Sequence, residues 1–358
     1  MAPRRSSIPT SGAEPATTPS PQPPSTAASL TPAFSWSEVV WVNVVVMTVW
    51  HVGAAYGAIC VMPQASLSAN LVLWVSFWFW AALGVTAGSH RLWSHRSYKA
   101  KLPLQIFLML LSSMAYQNSI FEWSRDHRVH HKGSDTTADP HNSNRGFFFA
   151  HMGWLLTRKH PDVFTESRKI NNRDLETDPI VQFQKRHYQV FGLGMCYGFP
   201  TIVGYVCFGS AWQGFWIGGV FRHVWLLHMT WCVNSVAHFF GYKPYDRNIR
   251  AVENLFVSIG AVGEGWHNYH HRYPTDYATS EFGFLYQWNP TKLFIEIMAA
   301  VGLAYDLKRS TTAAATRERL AIAIDQQVVK GILAPPTTPL QQALTWAVHT
   351  AKSTLFAT

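Results

Sequence analysis

Three clusters of histidine residues are the strongest candidates in this chain for a chemical role, namely metal binding. The stretch EGWHNYHH, residues 264–271, holds three histidines at positions i, i+3 and i+4, and HRVHH, residues 127–131, repeats that spacing. This spacing places three imidazoles on one face of a helix, where each offers a neutral nitrogen to a metal. A further stretch, HRLWSH, begins and ends in histidine. The eight side chains are His90, His95, His127, His130, His131, His267, His270 and His271.

Eight imidazoles are enough for two metal ions if the clusters converge. A zinc hydrolase normally uses three protein ligands and one open position, so eight are too many for it. Imidazole also suits iron and copper. Two ions with four or five nitrogen ligands each suit a redox pair that binds dioxygen, and the clusters therefore favour two iron ions.

The composition indicates a membrane protein. Hydrophobic residues make up 48% of the 358 residues and charged residues only 14%, against roughly 25% charged in soluble proteins. The net charge of +9 is not gathered in a Lys/Arg-rich block with interleaved aromatics, so no nucleic-acid partner is expected. The cysteines lie in or beside apolar blocks, so neither a disulfide framework nor a cysteine metal site is predicted. They are Cys60, Cys196, Cys207 and Cys232.

Four apolar segments are long enough to be spanning helices, at about 37–62, 69–89, 189–208 and 212–233. A fifth apolar run, 102–121, has similar hydropathy. If that run crossed the membrane, His90 and His95 would lie across the bilayer from His127 and could not share a site with it. We therefore predict that 102–121 dips into the membrane or lies along it.

The distribution of basic residues predicts the orientation. The connections VMPQASLSAN and GSAWQ, between spans one and two and between spans three and four, contain no Lys or Arg. By the positive-inside rule, both termini and the polar regions at about 90–188 and 234–309 are then cytosolic.

The predicted fold is an all-α integral membrane protein. Four transmembrane helices carry a cytosolic helical domain with a histidine-ligated di-iron centre. The first 33 residues are rich in Pro, Ser and Thr and lack an apolar core, so a disordered leader is expected there. Residues 34–309 form the functional domain, and 310–358 form a variable tail.

Four stretches of the chain resemble the membrane acyl-CoA desaturases, of the stearoyl-CoA (Δ9) type. They are TAGSHRLWSHRSYKA, QNSIFEWSRDHRVHHKGSDTTADPHNSNRGFFFAHMGWLL, NSVAHFFGYKPYD and GEGWHNYHHRYPTDY. The resemblance, from about residue 34 to 309, identifies that region as a desaturase domain. It implies an oxygen-dependent oxidoreductase that introduces a cis double bond into palmitoyl- or stearoyl-CoA in unsaturated fatty acid biosynthesis.

The resemblance also implies roles for individual residues. The eight clustered histidines match the family's iron ligands, His238 matches a ninth, and Asn234 matches a position that holds an iron through water. Residues matching the bend of the acyl tunnel are Gln117, Thr230 and Trp231, and those matching its closed end are Trp78 and Ala82. Residues matching the coenzyme A contacts are Asn118, Arg125, Asp126, Arg158 and Lys159.

Partners and location follow from the same resemblance. The chain lacks the HPGG motif of a fused heme domain, so electrons are expected from a separate cytochrome b5 and its NAD(P)H-dependent reductase. The expected location is the endoplasmic reticulum membrane, with the active site in the cytosol.

Other functions remain open on the residues alone. A di-iron membrane fatty acyl hydroxylase or monooxygenase would use a similar histidine set. A zinc-dependent membrane amidase or a lipid-binding scaffold is a more distant alternative. The remaining histidines are predicted to be hydrogen-bonded or interfacial side chains: His51, His141, His151, His160, His187, His223, His228 and His349.

Overall fold

A computed structural model describes residues 35–284, 286–310, 315–316 and 318–323. The predicted leader, residues 1–33, and most of the predicted tail lie outside the described residues. The described chain is mostly helical. The helices are α1 Trp41–Gln64, α2 Leu67–Ser94, α3 Leu102–Ala115, α4 Ile120–Gly133, α5 147–156, α6 Pro161–Arg168, α7 Arg173–Thr177, α8 Pro179–Arg186, α9 Tyr188–Phe208, α10 211–234, α11 Val236–Phe239, α12 Leu255–Gly260, α13 His267–Arg272 and α14 Pro290–Ala300. Strands β1, Lys99–Ala100, and β2, Ala304–Tyr305, form an antiparallel pair.

Three helices in the described part of the chain, α1, α2 and α9, are long and apolar enough to cross a membrane. They coincide with three of the four predicted spans, which confirms a helical membrane protein. The fourth predicted span is helical, as α10, but it is not among the three. Arg222, His223 and His228 lie within it and lower its mean hydropathy.

Helix α3 stops short of a full crossing. Its 14 residues correspond to about 21 Å, whereas the hydrocarbon core is about 30 Å thick. Tyr116 ends the helix in a left-handed conformation with φ 51°. The fully buried Arg222 donates a hydrogen bond from Nη1 to the carbonyl oxygen of Met114 at 2.8 Å. The helix end therefore has a charged donor for an otherwise free carbonyl.

Close packing joins α3 to α2. A Cβ added at Gly84 in α2 would lie 2.2 Å from the backbone carbon of Leu111 in α3, so only glycine allows these two backbones to approach so closely. Leu104 and Leu108 of α3 are buried in one apolar cluster with Ile120 of α4. Helix α2 carries the start of the first histidine cluster and helix α4 carries the second. Their shared packing against α3 holds the two helices beside each other.

Candidate metal centre

The end of α2 positions the first cluster. Residues Gly84–Ser94 are wound with wider turns than an α-helix, and the amide of His95 donates to the carbonyl of His90 at 3.1 Å. Closing a turn over five residues stacks residue i+5 near residue i. The two rings consequently lie with their centroids 4.8 Å apart. This winding extends the helix five residues beyond the predicted end at 89.

Helix α4 positions the second cluster. Ser119 caps its first turn: its hydroxyl accepts from the amide of Glu122, and the Glu122 carboxylate accepts from the amide of Ser119. Ile120 and Val129 are fully buried and hold one face of the helix against the protein. The i, i+3, i+4 histidines then face the other clusters, as their spacing predicts.

Helix α13 positions the third cluster, and its entry requires a glycine. A Cβ at Gly265 would lie 2.1 Å from the carbonyl oxygen of Asn254. The buried Glu253 accepts a hydrogen bond from the amide of Tyr269 at 2.8 Å, at the N-terminal end of this helix. A carboxyl group at a helix N-terminus satisfies an amide that has no partner within the helix.

Nine histidines converge into two groups. Within each group the nearest ring nitrogens all lie within 4.8 Å of one another. The five-histidine group is His90, His95, His127, His131 and His270, and the four-histidine group is His130, His238, His267 and His271. The structure thus brings together all eight clustered histidines and His238, which lies in the short helix α11.

The spacing of these nitrogens fits metal coordination. Nε2 of His270 lies 3.0 Å from Nε2 of His90 and 2.9 Å from Nε2 of His131. Nε2 of His267 lies 3.2 Å from that of His238 and 3.1 Å from that of His271. Metal–nitrogen bonds of about 2.0–2.1 Å place neighbouring ligands about 2.9–3.4 Å apart. A shared cation between them explains this convergence better than proton sharing, since a single ring proton reaches only one neighbour.

Burial keeps most of these imidazoles neutral. It lowers the pKa of six of them well below the ordinary value, with nearby cationic side chains and histidines adding to the effect: His95, His127, His131, His267, His270 and His271. A neutral imidazole presents a free lone pair, which a metal requires. Burial also lowers the pKa of His130, but Asp139 outweighs it and the net shift is upward.

Carboxylates lie beside the outward-facing nitrogens of three histidines, most closely at His130. Nδ1 of His90 lies 3.1 Å from Glu264, Nδ1 of His130 lies 2.8 Å from Asp139, and Nδ1 of His238 lies 3.4 Å from Asp135. Carboxylates in this position fix the tautomer and orientation of a metal-binding imidazole. These acids were not among the predicted site residues, although all three lie within the motifs EGWHNYHH and DTTADPHN.

Glu264 also joins the first and third clusters. Arg91, which is fully buried, donates to Oε1 of Glu264 from Nε at 3.1 Å and from Nη2 at 2.9 Å. Burial alone would raise the pKa of Glu264, but Arg91 and His90 lower it to about 2. The carboxylate is therefore ionised at every physiological pH.

A largely apolar cavity lies beside the two histidine groups. Its wall includes His90 and His127 of the five-histidine group and His267 of the four-histidine group. Other predicted residues in the wall are Gln117, Asn118, Asp126, Thr230, Trp231 and Asn234. The side-chain amide of Gln117 donates to Thr230 at 3.0 Å and so connects α10 to the turn before α4.

A second cavity continues toward the surface. All five residues predicted to contact coenzyme A line it: Asn118, Arg125, Asp126, Arg158 and Lys159. Asp126 accepts from Arg125 at 2.8 Å and pairs with Lys159. The two cavities share Asn118 and Asp126, so the polar mouth adjoins the apolar chamber at these side chains.

Two predicted tunnel residues are not part of either wall. Trp78 is half-buried and Ala82 is buried within α2, while the apolar cavity meets that helix at Val85 and Thr86. Ala82 lies about one turn before this contact and Trp78 about one turn further. They continue the line of the cavity along α2 without bordering it.

Three histidines outside the two groups form a hydrogen-bonded series. Nε2 of His51 lies 3.0 Å from Nε2 of His228, and Nδ1 of His228 lies 3.0 Å from Nε2 of His151. Nδ1 of His151 contacts the hydroxyl of Ser235 at 2.9 Å. The series joins α1, α10 and α5, and all three rings lie near Trp231. His349 lies outside the described residues.

The fold and the site together define a helical membrane protein with two histidine groups that could each hold a metal ion. The sequence profile of the family described as fatty acid desaturase matches residues 66–289. The chain is 51% identical to stearoyl-CoA desaturase 5 of Bos taurus over 276 residues, which cover 76% of this chain and 81% of that protein. It is 51% identical to stearoyl-CoA desaturase of Homo sapiens over 281 residues, or 77% and 76% of the two chains. It is 52% identical to acyl-CoA desaturase of Cyprinus carpio over 275 residues, or 76% and 82%.

The chain therefore belongs to the fatty acid desaturase family. The predicted enzyme class, a desaturase oxidoreductase, is confirmed. Membership implies the use of iron and dioxygen, and the two histidine groups are donor sets that suit iron.

Proposed function

We propose that this protein introduces a cis double bond at the Δ9 position of saturated fatty acyl-CoA, with palmitoyl- and stearoyl-CoA as substrates. Two hydrogens leave adjacent methylenes, while dioxygen, two electrons and two protons yield two waters. The observation that carries the proposal is the pair of histidine groups bordering an apolar cavity. The names of the relatives support the acyl-CoA substrate.

The two groups would hold one iron ion each, with Asn234 adding a water-mediated ligand. When bound, the irons supply the dioxygen activation needed to remove hydrogen from an unactivated methylene. The protein's part is to hold the imidazoles neutral and fixed. Asp139 and Glu264 would orient His130 and His90 through the opposite ring nitrogens, and Asp135 lies beside that nitrogen of His238.

The cavity side chains would place the acyl chain. Its apolar wall, including Val85 and Leu227, excludes water and receives the methylenes. The Gln117–Thr230 hydrogen bond and Trp231 would form the bend that selects the reacting carbons. Arg158 and Lys159 at the mouth would hold the phosphates of coenzyme A in water. Trp78 and Ala82 would limit the chain length beyond the bend.

The membrane arrangement follows from the same proposal. Helix α10 would be the fourth span, and the metal centre would face the cytosol from the endoplasmic reticulum membrane. A separate cytochrome b5, reduced by an NAD(P)H-dependent reductase, would supply the electrons. Residues 34–309 would form the desaturase domain, with a leader before it and a variable tail after it.

Expression in a yeast strain that lacks its own desaturase tests the function. We expect growth without added oleate, and gas chromatography should show a new monoene whose double bond maps to Δ9. The variant His127→Ala should give no product while remaining in the membrane fraction. Hydroxy acids without any monoene would instead identify a hydroxylase.

A further inference from the structure

A C-terminal segment, residues 315–316 and 318–323, packs against helix α13. The segment lies outside residues 66–289, the region that matches the family profile. Ala315 is fully buried in an apolar cluster with Tyr245 and Tyr269 of the third-cluster region. This part of the tail is therefore attached to the domain rather than extended away from it.

Glu318 makes the strongest contact of this segment with α13. Both of its carboxylate oxygens lie 3.1 Å from Nε of Arg272, and Oε1 lies 2.5 Å from Nη2 of the same residue. The hydroxyl of Tyr273 donates to Oε2 at 2.5 Å. The Glu318 side chain is only 13% exposed. Charge-assisted, two-pronged contacts of this kind are strong and geometrically specific.

Further contacts hold the segment in place around Glu318. Thr316 donates to the carboxylate of Glu281 at 2.9 Å, and Nε of Arg319 lies 3.2 Å from that carboxylate. Arg247 donates from Nη2 to the carbonyl of Ile322 at 2.7 Å. The segment is thus bound at several points before and after Glu318, which keeps its carboxylate beside α13.

Helix α13 needs such support because it has only six residues. A helix this short is unstable by itself and takes its position from tertiary contacts. Glu253 holds its N-terminal end through the amide of Tyr269. Its C-terminal end carries His270 and His271, directly before the two residues that Glu318 holds.

We infer that Glu318 is a positioning residue for the metal centre, acting through Arg272 and Tyr273 on the last turn of α13. The inference rests on the proposed function, in which the histidine groups hold iron. Helix α13 supplies two of the ligands in the four-histidine group and one in the five-histidine group. Loss of Glu318 should therefore weaken the four-histidine group more.

The test measures iron release from the purified full-length protein in detergent. Iron content is determined by elemental analysis, and the transfer of Fe²⁺ to a coloured chelator is followed over time. For Glu318→Ala we expect about one iron per chain to leave roughly tenfold faster, the lower end of the effect of removing a residue that is bonded directly to a metal ligand. The other iron, which takes only one ligand from α13, should leave at a rate closer to that of the wild type. Glu318→Gln, which keeps neutral acceptor oxygen, should be intermediate.

Glu296→Ala is the matched control. Glu296 in α14 also accepts from a tyrosine hydroxyl, Tyr277 at 2.9 Å, and from a cation, Lys292 at 2.6 Å, but neither bond reaches α13. Equal release rates for both alanine variants and the wild type would overturn the inference. If Glu318→Ala fails to fold, the comparison of Glu318→Gln with Glu296→Gln decides in the same way. A wild-type protein without iron would instead contradict the proposed function.

Discussion

The two histidine groups are built in different ways. The five-histidine group takes four of its members from the end of α2 and from α4, which are long helices. The four-histidine group takes three of its members from α11, with four residues, and α13, with six. Long helices hold their side chains through their own backbone bonds, whereas short ones depend on what packs around them. The second group should therefore be the more easily disturbed.

Removing one ligand from each group gives the largest expected effect. His131→Ala leaves four histidines in its group, and His238→Ala leaves three in the other. Both variants should lose product formation, because both groups border the cavity that we propose holds the substrate. Iron content should separate them: His131→Ala should keep about two irons per chain, and His238→Ala about one, since fewer ligands hold that ion. Elemental analysis of the purified variants checks this. Equal iron loss in both would contradict the proposed difference between the groups.

Removing one orienting carboxylate from each group should have smaller effects of different kinds. Asp139→Asn leaves His130 without its carboxylate and should lower the iron affinity of the four-histidine group about 10- to 100-fold. Glu264→Gln affects only one of five ligands, through His90, but it leaves the buried Arg91 without a charged partner. An unpaired buried charge costs about 3–5 kcal/mol, so this variant should lose thermal stability more than iron.

Chelator titration and thermal unfolding, followed by tryptophan fluorescence, distinguish the two outcomes. Glu176→Gln, which changes an exposed carboxylate, is the control for both measurements. A Glu264→Gln variant that unfolds like this control would show that the Arg91 ion pair does not hold the clusters together.

The sequence predicts the five-histidine group better than the four-histidine group. The i, i+3, i+4 spacing requires only that a helix forms, and α4 does so with its own cap. His238 lies in a four-residue helix after the break at Ser235, and no periodicity marks it; only the resemblance to the desaturases pointed to it. The orienting carboxylates lie within or beside the histidine motifs, but tertiary folding decides that Glu264 contacts His90 and that Asp135 contacts His238. Glu318 is brought in from the tail, and no local pattern identifies its contact with α13.

The sequence also predicts some parts of the fold better than others. Hydropathy placed α1, α2 and α9 within a few residues, because length and apolar content decide a membrane helix. It could not place the end of α2, where wider turns carry the helix past His90. The short α3 was predicted only by requiring the first two clusters to meet. Its end depends on Arg222, which comes more than a hundred residues later in the chain.

The smallest expected effect concerns Glu253, which supports α13 from its N-terminal end. Burial raises the pKa of Glu253 from 4.5 to about 8, despite hydrogen bonds from backbone amides. Between these two values the folded state binds a proton that the unfolded state has released, so stability is highest at low pH and falls as pH rises toward and through 8. The loss of stability between pH 6 and 9 should be about 2–3 kcal/mol.

The variant Glu253→Gln keeps an acceptor for the amide of Tyr269 and should remove this part of the pH dependence. The exposed control, Glu176→Gln, should keep the pH dependence of the wild type. Thermal unfolding midpoints across that pH range measure it. Parallel curves for wild type and Glu253→Gln would mean that Glu253 is already ionised in the folded protein and holds α13 as a charged cap.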